Sequence, residues 1–250
     1  MSGHNKWANI KHRKAAQDAK RSKIFTKLIR ELTVAAKEGG ADPESNPRLR
    51  TAIEKAKEAN MPKDKIEAAI KKGAGGTDAD SYVEIMYEGY GPAGVAIIMR
   101  ALTDNKNRAA QEVRHILSKH GGSLAESGAV AWNFERKAMI IVPKSEIADL
   151  DEFMMVALDA GAEDVIEDEE IQVIASPDDM AQVRDTLKDM GYSVKATLTY
   201  IPKTTVKIAG SDAEKLLKLL DALEDSDDIQ EVFANFEIDD EEMERLAQNM

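Results

Sequence analysis

The sequence predicts an α+β protein of three domains: an N-terminal three-helix domain followed by two ferredoxin-like (βαββαβ) α/β domains, one inserted in the other. Two observations lead to this fold class. Apolar residues recur at helical spacing up to about residue 75, and from Tyr82 onward short β-rich runs alternate with helical patterns. The span 138–200 has the pattern of a complete β-α-β-β-α-β unit, and the elements on either side of it complete a second unit only when joined.

Three amphipathic helices are predicted in the N-terminal domain, residues 1–78. The first carries an apolar face over residues 25–32 and ends at the glycine pair 39–40. The second begins with Asn46 as its N-cap, followed by proline at the first helical position. The third opens at Pro62 and ends before the GAGG run.

The remaining elements form a discontinuous middle domain, residues 79–136 plus 203–240, and an inserted acidic ferredoxin-like domain, residues 137–202. Strands are predicted over residues 94–102, 129–136, 138–142, 163–166, 171–175, 193–199, 204–208 and 229–236. Helices are predicted over residues 106–120, 145–160, 177–190 and 212–223. The acidic tail from residue 238 is expected to fray.

Composition excludes several classes of function. The chain has no cysteine, which rules out disulfides, thiolate metal sites and cysteine nucleophiles. The spacing of His115 and His120 puts them on diverging helix faces, and no nucleophile motif such as GxSxG occurs. No apolar run approaches the ~18 residues that span a bilayer, and the basic start lacks the apolar segment of a secretory signal. We therefore expect a cytoplasmic, non-enzymatic protein with no cofactor, no metal and no membrane partner.

The formal net charge of −12 conceals an asymmetry along the chain. Residues 1–75 hold 18 Lys and Arg against nine Asp and Glu, and the rest holds 16 against 37. Several cations on one surface are what phosphate binding requires, because each neutralised phosphate releases condensed counterions. At 3.6 residues per turn, five basic residues fall near one stripe: Arg13, Lys20, Lys23, Lys27 and Arg30. The alternative is an ordinary solvated helix face.

Eleven N-terminal residues are candidates for contact with nucleic acid. They are Lys6, Trp7, Lys11, His12, Arg13, Lys14, Lys20, Arg21, Lys23, Lys27 and Arg30. His4 and His12 suit polar contacts to phosphate or base. Trp7 has two open roles, stacking on an exposed base or anchoring the N-terminal segment onto its own domain.

The segment YEGYGPAG, residues 87–94, is a second candidate. It matches neither the dinucleotide fingerprint nor the P-loop. As a recognition loop it would present Tyr87, Glu88, Gly89, Tyr90, Gly91 and Pro92 to a nucleic-acid or ribosomal partner. The alternative is a turn whose tyrosines pack on the middle domain. Downstream, Asp104 or Asn105 is expected to cap a helix, and the acidic clusters 167–170 and 224–228 are expected to be solvated faces.

Five segments together resemble the YebC/PmpR family: GHNKWANIKHRKAAQDAKRSKIFTKLIREL, GGADPESNPRLR, YEGYGPAG, DNKNRAAQEVRH and YIPKTTV. The resemblance covers essentially the whole chain. It implies a three-domain fold with the helical domain first, and a cytoplasmic bacterial protein that is a probable DNA-binding transcriptional regulator. Family members, including mitochondrial relatives that activate translation, are also tied to the ribosome and to relief of stalling at proline runs.

Three functional hypotheses follow. A transcriptional regulator would prefer a particular duplex by roughly 10³-fold or more over random DNA. A ribosome-associated translation factor would bind ribosomal RNA through the basic region. A small-molecule sensor would bind a metabolite between its ferredoxin-like domains, by analogy of fold alone. No helix-turn-helix signature is evident, so the sequence leaves both DNA and structured RNA open as targets.

Overall fold

The computed structural model describes residues 3–14, 18–76 and 81–250, without the side chains of Asn9, residues 12–14 and residues 18–20. An N-terminal helical region precedes two sheet-containing domains. The predicted α+β fold class is therefore confirmed.

Within residues 3–14 and 18–76, the structure has four α-helices. They are α1 (Gly3–Lys14), α2 (Asp18–Gly39), α3 (Pro47–Glu58) and α4 (Lys63–Ala74). Helices α2, α3 and α4 share one core, in which Leu32, Leu49 and Ile66 are buried. The predicted N-cap is confirmed, since Asn46 Oδ1 accepts the backbone N–H of Leu49 at 3.1 Å. Helix α1 contributes nothing to this core, so the three-helix domain consists of α2–α4.

A close crossing joins α2 to α4. A Cβ on Gly73 would collide with the carbonyl oxygen of Thr33, at a separation that no side chain tolerates. Glycine at this position therefore lets the two helix backbones touch. This contact fixes α4 against α2.

Among residues 81–250, the structure has ten strands and five α-helices. The strands are β1 (Val83–Tyr90), β2 (Ala96–Thr103), β3 (Ser123–Ala125), β4 (Phe134–Val142), β5 (Asp164–Glu167), β6 (Ile171–Ala175), β7 (Lys195–Pro202), β8 (Val206–Lys207), β9 (Ile229–Ala234) and β10 (Phe236–Glu237). The helices are α5 (Lys106–Lys119), α6 (Leu150–Asp159), α7 (Met180–Asp189), α8 (Gly210–Glu224) and α9 (Asp240–Gln248).

The middle domain is an antiparallel sheet of order β3-β1-β2-β9, with α5 and α8 packed on one face. Two strand predictions about it were wrong, and two of its strands, β1 and β3, were not predicted. Residues 129–133 form a bend and a short 3₁₀ helix rather than a strand, and β8 pairs with β10 outside the sheet. Ala129 and Val130 are apolar because they pack beneath the inserted domain, beside Phe134 and Phe233.

The inserted domain has the predicted β-α-β-β-α-β order, which is confirmed over residues 134–202. Its sheet has the order β5-β6-β4-β7, and α6 and α7 cover one face around Phe153 and Leu187. Its first strand begins at Phe134, four residues before the predicted start.

The C-terminal tail does not fray as expected. Helix α9 buries Met243, Leu246 and Ala247 in the core of the middle domain. Its acidic first turn suits the positive end of the helix dipole. Among the described helices, none is long and apolar enough to cross a membrane.

Candidate nucleic-acid interface

Helix α1 packs on the middle domain, against α9, β9 and β10. Trp7 is 2% exposed and Ile10 is 6% exposed, and both belong to the core cluster of the middle domain. A Cβ on Gly3 would lie 2.6 Å from the carbonyl oxygen of Phe236, so glycine allows this close approach. Trp7 is thus an anchor in this conformation, but it anchors the N-terminal segment to the middle domain rather than to its own domain, as the prediction had it.

The lysines of α1 are paired with carboxylates of the acidic body. Lys6 Nζ lies 2.5 Å from Asp240 Oδ1, and this hydrogen bond raises the pKa of the ammonium. Lys11 contacts Asp221 as well as Glu224, whose Oε2 lies 2.6 Å from its Nζ. Burial opposes the charge on Lys11, but the two carboxylates outweigh it and raise the pKa of the ammonium. Both lysines are therefore held in intramolecular contacts.

The described part of the predicted basic stripe on α2 faces the acidic turn after α8. Lys23 Nζ donates to the Asp225 carbonyl at 3.1 Å, and Lys27 Nζ donates to the Glu224 carbonyl. Burial lowers the pKa of Lys27 despite the neighbouring acids. Lys23 and Lys27 of the predicted stripe thus donate to the protein's own backbone, and Lys23 remains exposed as well.

Arg30 completes this contact. Its Nη1 donates to Asp228 Oδ1 at 3.0 Å and to the Asp227 carbonyl at 2.8 Å. Asp228 is 2% exposed and also accepts from Arg108 at 2.8 Å. Burial disfavours the charged carboxyl, but the two guanidiniums outweigh it and lower the pKa of Asp228. The expectation that the cluster 224–228 is a solvated face is therefore wrong for Asp228, whereas Asp225 and Asp227 are exposed.

Other cations of the N-terminal region remain exposed. Arg21 and Lys65 both lie over the Phe25 ring, with the guanidinium carbon 5.7 Å and Nζ 5.9 Å from its centroid. Neither cation pairs with a carboxylate among the described residues. Three more exposed lysines, on α2, α3 and α4, also have no carboxylate partner among the described residues: Lys37, Lys57 and Lys71. The candidates His12, Arg13, Lys14 and Lys20 have side chains outside the described residues.

The segment considered as a recognition loop is not a loop up to Tyr90, because β1 runs through that residue. Glu88 is 5% exposed, and its carboxylate accepts the backbone N–H groups of Gly128 at 2.6 Å, Val130 at 2.9 Å and Ala131 at 2.7 Å. Burial would raise the pKa of Glu88, but these bonds outweigh it and lower the pKa.

The rest of the motif is also part of the middle domain. Tyr87 packs against the core cluster, and Gly89 lies within β1. Gly91 and Pro92 are buried in the turn that follows, whereas Tyr90 is 39% exposed. The alternative interpretation, in which this segment packs on the middle domain, therefore describes most of the motif.

Two family models match this chain. The model described as "TACO1/YebC protein N-terminal domain" matches residues 5–76, and the model "TACO1/YebC second and third domain" matches residues 82–236. The chain belongs to the TACO1/YebC family.

Proteins similar to this TACO1/YebC member carry the name "Probable transcriptional regulatory protein". The one from Thermosipho africanus is 66% identical over 250 residues, which is 100% of this chain and 99% of that protein. The one from Kosmotoga olearia is 64% identical over 251 residues and all of both chains. The crystal structure of a conserved hypothetical protein from Aquifex aeolicus is 50% identical, with a TM-score of 0.80 over 88% of this chain and 92% of that chain.

Sequence reasoning missed one exposed aromatic residue of this family member. Trp132 is 65% exposed, and its Nε1 donates to the Ala129 carbonyl at 3.0 Å. It lies in the turn that Glu88 holds, so its position depends on a carboxylate 44 residues earlier. No periodic pattern in the sequence indicated that the Trp132 side chain would be exposed.

A cleft of about 420 Å³ lies where the three domains of this TACO1/YebC chain meet. Arg48, Arg100 and Glu31 line it, and Glu31 accepts from the other two at 3.0 and 3.1 Å. These guanidiniums are therefore already paired inside the protein. Among the described residues, no group of three or more His, Asp or Glu side chains is arranged to hold a metal ion.

Proposed function

We propose that this protein is a non-enzymatic regulator of gene expression that binds DNA through its N-terminal helical domain. The names of its relatives support a regulatory role. The charge asymmetry supports the choice of domain, because the N-terminal 75 residues carry twice as many basic as acidic groups. A cytoplasmic location goes with this function.

The observation that carries the proposal is the pair of cations over Phe25. Arg21 and Lys65 come from different helices, α2 and α4, and neither pairs with a carboxylate among the described residues. Cations that are not neutralised within the protein are available to release counterions from a phosphate backbone. Exposed Lys37, Lys57 and Lys71 extend the positive surface of the same domain.

Ribosomal RNA is the second candidate target. A helix-turn-helix places its recognition helix against the preceding helix, whereas α3 and α4 each pack mainly on α2. A helix positioned to read base edges is therefore not evident, and binding through the phosphates alone favours no sequence. This arrangement suits structured RNA as well as duplex DNA.

The deciding experiment is a parallel titration with random duplex DNA, DNA upstream of candidate regulated genes, and purified ribosomes at near-physiological salt. Tight binding to upstream DNA alone would support transcriptional regulation. Saturable ribosome binding with salt-sensitive, sequence-blind DNA binding would replace it by a role in translation. Absence of binding to every probe would overturn both.

A pair of double variants tests the surface itself. Arg21→Glu/Lys65→Glu should weaken binding at least tenfold and lower the slope of log K against log salt by about 2, one unit per lost phosphate contact. Lys215→Glu/Lys218→Glu makes the same charge change on exposed residues of α8 and should leave affinity near that of the parent chain. Equal losses in both would show that net charge, not this surface, governs binding.

A further inference from the structure

Helix α1 is held on the body by a small set of contacts. Its apolar anchors are Trp7 and Ile10. Its ionic contacts run from Lys11 to Asp221 and Glu224 on α8, and from Lys6 to Asp240 on α9. The side chains of Asp221 and Glu224 are about one-third exposed, at 31% and 32%. Ion pairs with this exposure are screened by water and salt, so each contributes little to holding the helix.

The surface of the middle domain that α1 covers is its seat, and docking on this seat leaves polar groups unsatisfied. Trp7 Nε1 and His4 Nδ1 are buried, and no described group forms a hydrogen bond with either. Each such buried group costs free energy that water would recover on release. Burial, reinforced by Glu224, raises the pKa of Asp221 even with the Lys11 ammonium beside it. The docked state thus combines favourable apolar burial with unfavourable polar burial.

The carboxylates that hold Lys11 are anions, as phosphates are, so a phosphate backbone would compete with them for the same ammonium. Asp221 and Glu224 are three residues apart on α8, so they project from one face as a pair of anions. A phosphate backbone presents a similar row of negative charge. Release of α1 would leave the core of α2–α4 intact, because none of its residues belongs to that core.

We propose that α1 is an autoinhibitory helix, docked on α8 by the acidic pair Asp221 and Glu224, and that nucleic acid binds fully only when phosphates displace this pair and α1 leaves its seat. The proposal rests on the proposed nucleic-acid binding for its ligand. Release frees Lys6 and Lys11 and adds them to the exposed cations of α2–α4. Affinity then depends on residues of α8 that contact no nucleic acid.

The cysteine-free chain allows a direct test of release. In an Ile10→Cys background, the single thiol is buried while α1 is docked, and its rate of modification by a thiol reagent measures undocking. Val113→Cys places a thiol in the same core on α5, and its modification measures global unfolding. Asp221→Asn/Glu224→Gln should raise the modification rate about tenfold in the Ile10→Cys background and leave it unchanged in the Val113→Cys background. The matched control is Asp212→Asn/Glu214→Gln, which removes equal charge from the far end of α8.

Affinity for a random 20-base-pair duplex is measured with the same variants in the parent chain. The proposal expects about five- to tenfold tighter binding for Asp221→Asn/Glu224→Gln than for the control. It also expects duplex to speed modification of the α1 thiol in the Ile10→Cys background. Equal modification rates of that thiol in the two charge variants overturn the proposal, whether or not duplex binds. Faster modification without binding by any variant retains the docked helix as a switch but removes nucleic acid as its ligand, which is failure of the proposed function alone.

Discussion

Arg30 and Asp228 form an ion pair across the boundary between the N-terminal helices and the middle domain. Arg30 Nη1 lies 3.0 Å from Asp228 Oδ1, and the side chains are 14% and 3% exposed. Arg108 donates to both oxygens of the same carboxylate, at 2.8 and 3.1 Å. One buried acid thus joins α2, α5 and the turn after α8.

Replacing Asp228 with alanine should lower the free energy of unfolding by about 3 kcal/mol. The substitution leaves the largely buried guanidinium of Arg30 without its counter-charge, and uncompensated buried charge is costly. Urea-induced unfolding measures the change. Asp225→Ala, in the same acidic turn but exposed, should change stability by no more than about 0.5 kcal/mol. Equal losses in the two variants would argue against a specific role for the buried pair.

Local patterns predicted α2 to α8 well because the signals of these helices are local, but they missed α1 and α9. Asn46 caps α3 through its own side chain, and the apolar spacing of α2 marks its buried face. Strand prediction failed where apolar residues serve another purpose. Ala129 and Val130 resemble strand residues but pack as a turn under the inserted domain, while the tyrosine- and glycine-bearing β1 lacks a continuous apolar run.

The candidate site could be predicted only in part. Helical spacing correctly grouped Lys23, Lys27 and Arg30 on one face, but it gave no information on what that face meets. Lys27 and the Glu224 carbonyl are 197 positions apart, and nothing in a single sequence links them. The excess of acid after residue 75 was the available sign that the body could neutralise its own basic helices.

Glu88 provides a second stability prediction. Glu88→Gln replaces a carboxylate that accepts three backbone N–H groups with an amide that has one acceptor oxygen, at a cost of about 2 kcal/mol. Because the pKa of Glu88 is held below its ordinary 4.5, its stabilisation is present above pH 4.5 and is lost as pH falls through the lowered pKa.

The measurement is urea unfolding from pH 7 to pH 3, with Glu126→Gln as an exposed control in the neighbouring loop. The Glu88 variant should show a shallower loss of stability in acid than the parent chain. Parallel pH curves for parent and Glu88 variant would mean that the carboxylate charge contributes nothing.

Glu31 joins the N-terminal helices to the sheet of the middle domain. It accepts from Arg48 at 3.0 Å and from Arg100 at 3.1 Å, and these guanidiniums outweigh burial and lower its pKa. Glu31→Ala should therefore cost about 3 kcal/mol in urea unfolding. Glu38 pairs with the same Arg48 at 2.7 Å but is exposed, so Glu38→Ala should cost less than about 1 kcal/mol. A larger loss at Glu38 would contradict this ranking by burial.

Docking of α1 should weaken in mild acid through His4. Burial lowers the pKa of its imidazole from the ordinary 6.5, while Glu224 on α8 and Glu231 on β9 oppose that shift and Lys11 on α1 adds to it. The Phe233 ring of β9 lies 6.1 Å away. A lowered pKa means that His4 favours docking above pH 6.5, and that this contribution is lost as pH falls toward the docked pKa.

The measurement uses Trp132→Phe, which leaves Trp7 as the only tryptophan. Acrylamide quenching of Trp7 should rise between pH 7 and pH 5, a window in which ordinary carboxyl groups stay ionised. A His4→Phe variant in the same background retains an apolar ring at the seat and should show a flat profile over that range. If both variants respond to pH alike, the acid response arises from groups other than His4, and the buried imidazole has no part in the release of α1.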